Sequence, residues 1–290
     1  MGNATVDKTS VKAKGMTFTA RKRIGSAVTS IVMIAISLVC AVPLWYIVIN
    51  TFKTIADMNV NPLGLPNDWT FDNYINAFKT VPILRSLWNT VIVTFFGVAI
   101  QVIVGALAAY GMILRKSRFT SAVGAVLMVA FVVPAQSTLI PLYRMEAGVH
   151  LVNTLAGLVL IYLGGAVFCY FLIVGYMRSL PFELIEAARI DGAGYKDMLK
   201  SIIMPLMMPA FTIGLFLSIS NSFKMFDQNL ALTQGGPYKS TEMLALNIYN
   251  SAFGANEFGF AQAKAIIFMI AVAAIGVTQL VLTKRKEVEM

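Results

Sequence analysis

The sequence predicts an all-α membrane protein with six transmembrane helices and both termini in the cytoplasm. Of its 290 residues, 58% are hydrophobic and 13% are charged, whereas a soluble domain carries about 25% charged residues. The hydrophobic residues form long unbroken runs instead of the alternating pattern of a transmembrane β-barrel, so we expect helices to span the bilayer. The net charge of +9 comes from basic residues between these runs, which indicates membrane topology and no nucleic-acid partner.

Six hydrophobic runs reach the roughly 20 residues that a helix needs to cross a bilayer. They predict helices at Ile24–Thr51, Leu87–Leu114, Ser121–Leu142, Leu155–Met177, Pro205–Phe223 and Ala265–Leu282. The polar stretches between these runs divide the chain further. Residues 1–23 form a cytoplasmic tail, 24–52 a first transmembrane helix, 53–86 an extracellular loop, 87–282 a core of five transmembrane helices, and 283–290 a second cytoplasmic tail.

The positions of Lys and Arg predict the side of the membrane that each loop occupies, because cytoplasmic loops collect positive charge. With both termini inside, the cytoplasm receives the basic residues of the two tails, of the loop 115–118 and of the loop 178–200. The opposite side receives only Lys53, Lys79, Arg85, Arg144, Lys224, Lys239 and Lys264. This asymmetry fixes the predicted orientation.

Neither a catalytic site nor a metal site is predicted. The sequence has no zinc-protease, serine-hydrolase or phosphate-loop motif, and its one histidine, His150, has no cysteine nearby. Cys40 and Cys169 lie inside hydrophobic runs, where no disulfide framework is expected. The predicted helix cores contain essentially no charged residue, although ion-driven carriers place charges there. We therefore expect no enzyme activity and no cofactor in this chain, and an energy source in a partner subunit.

The most informative pattern lies in the loop 178–204. Pro181 suits the first turn of a helix, Glu186 follows where the helix dipole favours acidic residues, and Gly192 with Gly194 ends the helix. A short capped helix in a cytoplasmic loop is suited to docking into a groove of a partner protein. A plain interfacial helix is the other interpretation of the same pattern.

The same loop resembles the EAA motif of permease subunits of binding-protein-dependent ABC importers. The run Glu186-Ala187-Ala188-x3-Gly192-x9-Ile202-x-Met204-Pro205 matches the family pattern E-A-A-x3-G-x9-I-x-L-P, with Met204 in place of the usual leucine. The resemblance implies a type I ABC importer fold with residues 87–282 as the permease core and this loop as a coupling helix in a cleft of an ATPase subunit. The residues that it assigns to coupling are Glu183, Glu186, Ala187, Ala188, Asp191 and Gly192.

Two further stretches are similar to external loops of carbohydrate-uptake permeases of the maltose-transporter type (carbohydrate uptake type 1). One runs from Leu65 to Tyr74, and the other contains Gly235-Gly236-Pro237. The chain is identified as the second-permease type, although the latter loop is commoner in the partner permease. The resemblance implies a multi-pass protein of the bacterial plasma membrane that pairs with a different permease subunit. It also implies two ATPase subunits, which bind ATP and Mg, and an extracellular sugar-binding protein.

Polar and aromatic side chains in the predicted helices are candidates for the path of a sugar. The candidates are Gln101, Tyr110, Gln136, Ser220, Asn221 and Phe223. Polar side chains of this kind also join transmembrane helices to one another by hydrogen bonds. The predicted function is a permease subunit of an ATP-driven importer of sugars, with oligosaccharides as the expected substrates. A self-contained secondary carrier or channel is the alternative.

Overall fold

The computed structural model describes residues 15–79, 83–114 and 117–287, and these residues form helices without any strand. In chain order the helices are α1 (Gly15–Asn50), α2 (Ile55–Val60), α3 (Asp72–Lys79), α4 (Ile83–Leu114), α5 (Arg118–Val132), α6 (Leu139–Gly148), α7 (Leu155–Ile161), α8 (Ala166–Met177), α9 (Phe182–Ile190), α10 (Tyr195–Met198), α11 (Met204–Phe223), α12 (Asp227–Leu232), α13 (Leu244–Tyr249) and α14 (Phe258–Lys284). The predicted all-α class is confirmed.

Within the described ranges, five helical stretches are long and apolar enough to cross a membrane, and a bent pair raises the number to six. The five stretches are Val28–Asn50, Ile83–Ile113, Leu155–Met177, Tyr195–Phe223 and Phe258–Lys284. The bent pair consists of α5 and the segment Ala135–Gly148, which meet at an angle of 100°. The expected six transmembrane segments are therefore present if the bent pair counts as one.

The bend replaces the single helix that was predicted at Ser121–Leu142. Val133 has an extended backbone, with ψ at 123°, because the ring of Pro134 disfavours the helical conformation in the residue before it. Pro134 also lacks the N–H that would continue the hydrogen-bond ladder. The chain resumes as a tight 3-10 turn at Ala135–Thr138 before α6 begins.

Several helices begin earlier than the sequence predicted. Of the predicted tail at 1–23, residues 1–14 lie outside the described residues and residues 15–23 belong to α1. Residues 288–290 of the predicted tail at 283–290 also lie outside them. The predicted loop at 53–86 contains α2, α3 and the first turn of α4.

The start of α14 corrects one expectation about charge. Because α14 begins at Phe258 and not at Ala265, Lys264 lies inside this helix and is completely buried. Its Nζ donates to Asn247 Oδ1 at 2.9 Å and to Ser251 Oγ at 2.7 Å. The ammonium also stands 4.1 Å from the ring centre of Phe260. The prediction that the helices contain essentially no charge is wrong at this position.

The Asn247 amide connects Lys264 to a second buried charge. Its Nδ2 donates to Glu242 Oε2 at 2.8 Å, and Asn250 Nδ2 donates to Glu242 Oε1 at 2.9 Å. A buried ion pair is tolerated when further hydrogen bonds satisfy both partners. This amide-bridged pair therefore joins α14 to α13 and to the segment before it.

Small residues allow α4 to pack closely against α8 and α11 in the centre of the bundle. A Cβ on Gly105 would lie 2.7 Å from Cys169 Cβ and 2.8 Å from the Ala166 carbonyl oxygen. Close backbone approach of this kind is how membrane helices gain van der Waals contact. The buried residues of the adjoining core cluster are Ala109, Tyr170, Ile173, Val174, Met177, Leu180, Met207 and Ala210.

The bundle has two distinct ends. The α3 end contains the start of α4, together with α3 and α13, which pack around Ala77, Ile83 and Leu244. The α9 end contains the last turns of α4, where the ring of Tyr110 meets that of Tyr195 at a centroid distance of 5.9 Å.

Replacement of Gly105 by alanine tests the close crossing of α4 and α8. We expect Gly105→Ala to destabilise the purified chain by about 1–3 kcal/mol, because the added methyl overpacks a rigid backbone contact. The control is Gly111→Ala on the same helix, where a Cβ meets no atom within 4 Å. The control should be neutral or slightly stabilising, since alanine is the better helix former. Equal melting temperatures for the two variants in detergent would contradict this packing.

Replacement of Lys264 tests the buried pair. Lys264→Met leaves Asn247 Oδ1 and Ser251 Oγ without their donor and the buried Glu242 carboxylate without the nearby cation. We expect a cost of about 3–5 kcal/mol, as when one partner of a buried ion pair is removed. Thermal unfolding of the detergent-solubilised chain measures the loss. Lys239→Met is the matched control because Lys239 is exposed near the same end of the bundle. The pair is not important for stability if both variants unfold at the wild-type temperature.

Candidate functional site

The first candidate site is α9, the helix that carries the predicted coupling residues. It begins after Pro181, and its first and last turns hold Glu183 and Arg189. Acidic residues at the start and basic residues at the end both complement the helix dipole. The helix is therefore stabilised locally, without deep burial of its surface.

A glycine with a left-handed backbone ends α9. Gly192 has φ at +78°. Its N–H donates to the Arg189 carbonyl at 3.2 Å, and the Ala193 N–H donates to the Ala188 carbonyl at 2.9 Å. This pair of bonds is the Schellman motif, which favours glycine because other residues are strained at positive φ. Gly192 therefore ends the helix as predicted, whereas Gly194 precedes α10 as its N-cap, with φ at −67°.

Five of the six predicted coupling residues are exposed at the α9 end. Ala188 is half-buried, and the other five, Glu183, Glu186, Ala187, Asp191 and Gly192, are exposed. Large apolar side chains are exposed beside them, including Leu184, Ile190 and Tyr195, and Ile190 has 80% of its surface accessible. An exposed apolar surface with a charged border is typical of a protein-binding site.

The helix α9 is firmly connected to the transmembrane bundle on both sides. Before it, Leu180 is buried in the core cluster with Met177 and Met207. After it, α10, a wide π turn at Leu199–Ile203 and α11 form one continuous span, Tyr195–Phe223. Movement of α9 would therefore be transmitted directly to a helix that crosses the bundle.

Two of the predicted path residues lie in contacts between helices. Gln101 is buried, and its Nε2 donates to Ser218 Oγ at 3.0 Å and to Cys169 Sγ at 3.5 Å. Phe223 is also buried, and its ring lies 6.0 Å from that of Phe268. The pairing of Gln101 with Ser218 was not visible from the sequence, because these residues are far apart along the chain.

The other predicted path residues are accessible to different degrees. Tyr110 lies at the α9 end and is half-buried beside Tyr195. Ser220 is half-buried and Asn221 is exposed on the last turn of α11. Gln136 is exposed, and its Nε2 donates to Asp227 Oδ2 at 3.4 Å. Asp227 begins α12 just after α11 ends, so the bend after Pro134 and the end of α11 come together at the α3 end.

A separate cavity of about 210 Å³ lies at the α3 end. Tyr46, Lys53, Asn73 and Phe258 are among the residues that line it. The Lys53 Nζ is already used, because it donates to the Asn61 carbonyl at 2.6 Å. None of the six predicted path residues lines this cavity.

Comparison with known proteins places the chain in a family. Residues 15–288 match the family described as "Binding-protein-dependent transport system inner membrane component". AmyD of Thermoanaerobacterium thermosulfurigenes, a "Probable starch degradation products transport system permease protein", is 50% identical over 117 residues, which are 40% of each chain. NgcG of Streptomyces coelicolor, a diacetylchitobiose uptake system permease protein, is 30% identical over 243 residues, or 79% of this chain and 80% of NgcG. The match to AmyD thus spans less than half of that relative.

The fold also has a relative among solved structures. A chain in the crystal structure of a bacterial ABC transporter involved in the import of the acidic polysaccharide alginate superposes with a TM-score of 0.72. The two sequences are 20% identical, and the match covers 90% of this chain and 96% of the other. At that identity the likeness shows the fold alone. The predicted resemblance is confirmed, and the chain belongs to the binding-protein-dependent transport system inner membrane component family, whose members are multi-pass permeases of ABC importers.

Proposed function

We propose that this chain is one of two different permease subunits of an ATP-driven sugar importer. The observation that carries the proposal is α9, a short capped helix that is exposed at one end of the bundle and joined by a turn of four residues, 191–194, to the transmembrane span Tyr195–Phe223. The chain holds no phosphate-binding loop of its own. Two ATPase subunits, which bind ATP and Mg, are therefore the proposed energy source, and α9 is the proposed docking element in the cytoplasm.

Oligosaccharides are the proposed substrates. Names of relatives support this class, since AmyD is named for starch degradation products and NgcG for diacetylchitobiose. An extracellular sugar-binding protein is proposed to deliver the substrate, in agreement with the name of the family. A second permease subunit is proposed to complete the path.

The proposed mechanism uses the span Tyr195–Phe223 as a lever. A continuous helix of this length extends for about 43 Å, which matches the full thickness of a bilayer of about 40–45 Å. Closure of the ATPase subunits around nucleotide would displace α9 and tilt this span. Its far end carries Ser220 and Asn221, so a small displacement at one membrane surface would change the path at the other.

The exposed candidates for contact with the sugar differ from the buried ones. Asn221 and Gln136 are exposed, and Ser220 is half-buried, so a sugar could reach them in a path shared with the second permease. Gln101 and Phe223 are proposed to support the path through helix packing. Tyr110 is proposed to connect α4 to the lever through its contact with Tyr195.

The self-contained carrier finds little support. Ion-driven carriers expose a buried charge to the path, but the ammonium of Lys264 is held by two hydrogen bonds and an aromatic ring. It also lies near the start of α14 and not at the middle of the span. The proposed role of Lys264 is therefore to stabilise the fold and not to carry ions.

Gly192 provides a direct test of docking. Valine at φ +78° is strained by roughly 1–2 kcal/mol or more, so Gly192→Val should distort the end of α9 and reduce copurification of the ATPase subunits by about tenfold. Asparagine tolerates positive φ, so Gly192→Asn should retain most of the binding. No Cβ clash complicates the comparison, because a Cβ at this position meets no atom within 4 Å. If both variants copurify with as much ATPase as the wild type does, the ATPase subunits bind at a site other than the end of α9.

Asn221 provides a test of the path. Removal of one hydrogen bond to substrate costs about 0.5–1.5 kcal/mol, so Asn221→Ala should raise the KM for sugar uptake by about threefold to tenfold with normal thermal stability. Gln101→Leu is the contrasting variant, since it leaves the buried Ser218 hydroxyl with only the weaker contact to Cys169 Sγ at 3.8 Å and should lower the melting temperature. An unchanged KM for Asn221→Ala would remove this residue from the path.

A further inference from the structure

All three tryptophans of the chain lie at the α3 end and are exposed. Trp45, Trp69 and Trp88 have 59%, 60% and 64% of their surfaces accessible. Trp45 lies five residues before α1 ends at Asn50, and Trp88 lies five residues after α4 begins at Ile83. Five residues of helix correspond to about 8 Å. This depth is close to the thickness of the headgroup region of one leaflet, about 5–8 Å.

Trp69 lies beside the end of α1 although it belongs to the segment between the spanning helices. Its ring is 5.6 Å from that of Phe52, just beyond the end of α1. The Thr70 N–H donates to the Phe52 carbonyl at 2.9 Å, so the backbone next to Trp69 is attached to the end of α1. Tryptophan is enriched at membrane–water interfaces, where an apolar ring with one polar N–H is stable.

The helix α3 follows Trp69 and has three different faces. Its inner face is fixed to the bundle, because Asn73 Nδ2 donates to the carbonyls of Thr51 and Lys53 at 2.9 Å each. Ala77 on the same side is fully buried. The inner face therefore needs no further partner.

The two outer faces of α3 have opposite chemistry. Phe71, Ile75 and Phe78 recur at intervals of four and three residues, so they form an apolar stripe, and all three are exposed. Asp72, Asn76 and Lys79 repeat the same spacing one residue later and are also exposed. At roughly 100° per residue, the polar stripe lies about a quarter turn from the apolar one.

We propose that α3 and Trp69 lie in the headgroup region of the leaflet at the α3 end, with phospholipid as the partner of the Phe71–Ile75–Phe78 stripe. A helix at a membrane surface needs one face for acyl chains and an adjacent face for water, and α3 has both beside its inner face. The lipid partner is favoured over a protein because Phe71, the first residue of the stripe, packs against Phe52 at the end of the spanning helix α1, with ring centroids 5.3 Å apart. Lys79 can extend its ammonium towards the phosphates.

In this arrangement the segment 53–79 is not a loop that extends into solution. It lies on the membrane surface beside the ends of α1 and α4. A surface segment of this kind fixes the depth of the bundle in the membrane.

Photochemical crosslinking tests the proposal in the assembled protein. We would place p-benzoylphenylalanine at Phe78 in the full-length chain, expressed with its partner subunits, and irradiate intact membranes. The same residue at Asn76 on the polar stripe is the matched control, and at the exposed Val39 of α1 it is the reference for lipid contact. Mass spectrometry of the purified chain then detects attached phospholipid.

We expect phospholipid adducts at position 78 in about tenfold excess over position 76, at a level similar to position 39. Two results would overturn the proposal. One is adducts of position 78 with a protein subunit, which would make the stripe a protein interface. The other is lipid attachment at position 39 with none at position 78, or with equal amounts at 78 and 76.

Discussion

The structure depends on one constraint, which is that backbone polar groups within a bilayer have no water to bond with. Where the helical ladder breaks at Pro134, the chain supplies substitutes. Ser137 Oγ donates to the Pro134 carbonyl at 2.7 Å, and Thr138 Oγ1 donates to the Ala135 carbonyl at 2.7 Å. A charged side chain inside the bundle also needs partners, and the ammonium of Lys264 lies beside two acceptors and an aromatic ring. The interruption at Pro134 is therefore stabilised by side chains that lie within four residues of it.

The difference between the two ends is central to the proposed function. At the α3 end, a buried network fixes α13 and α14, and Asn89 Nδ2 of α4 donates to the Glu242 carbonyl at 3.1 Å. At the α9 end, the coupling candidates are largely exposed, and Leu180 and the span that begins at Tyr195 attach them to the bundle. An accessible helix that is joined by a short turn to a spanning helix is suited to transmit a displacement into the bundle.

The parts of the structure that depend on neighbouring residues were predictable from the sequence. The spans follow from hydrophobic length, and the end of α9 follows from Gly192. The parts that depend on residues distant along the chain were not. The burial of Lys264 depends on its partners Asn247 and Ser251, which the sequence does not place beside it. The packing role of Gln101 likewise depends on its contact with Ser218. The single helix predicted at Ser121–Leu142 is bent by 100° after Pro134, and this angle depends on the packing of α5 against α8 and of α6 against α12.

Dependence of sugar uptake on ATP is the most direct measurement of the central claim. The chain, its partner permease and the ATPase subunits would be reconstituted in proteoliposomes with the sugar-binding protein and labelled oligosaccharide outside. We expect accumulation only when ATP and Mg are enclosed on the side that α9 faces, and none when the ATPase subunits are left out. Accumulation by the permease subunits alone, driven by an ion gradient without ATP, would contradict the claim and favour a self-contained carrier.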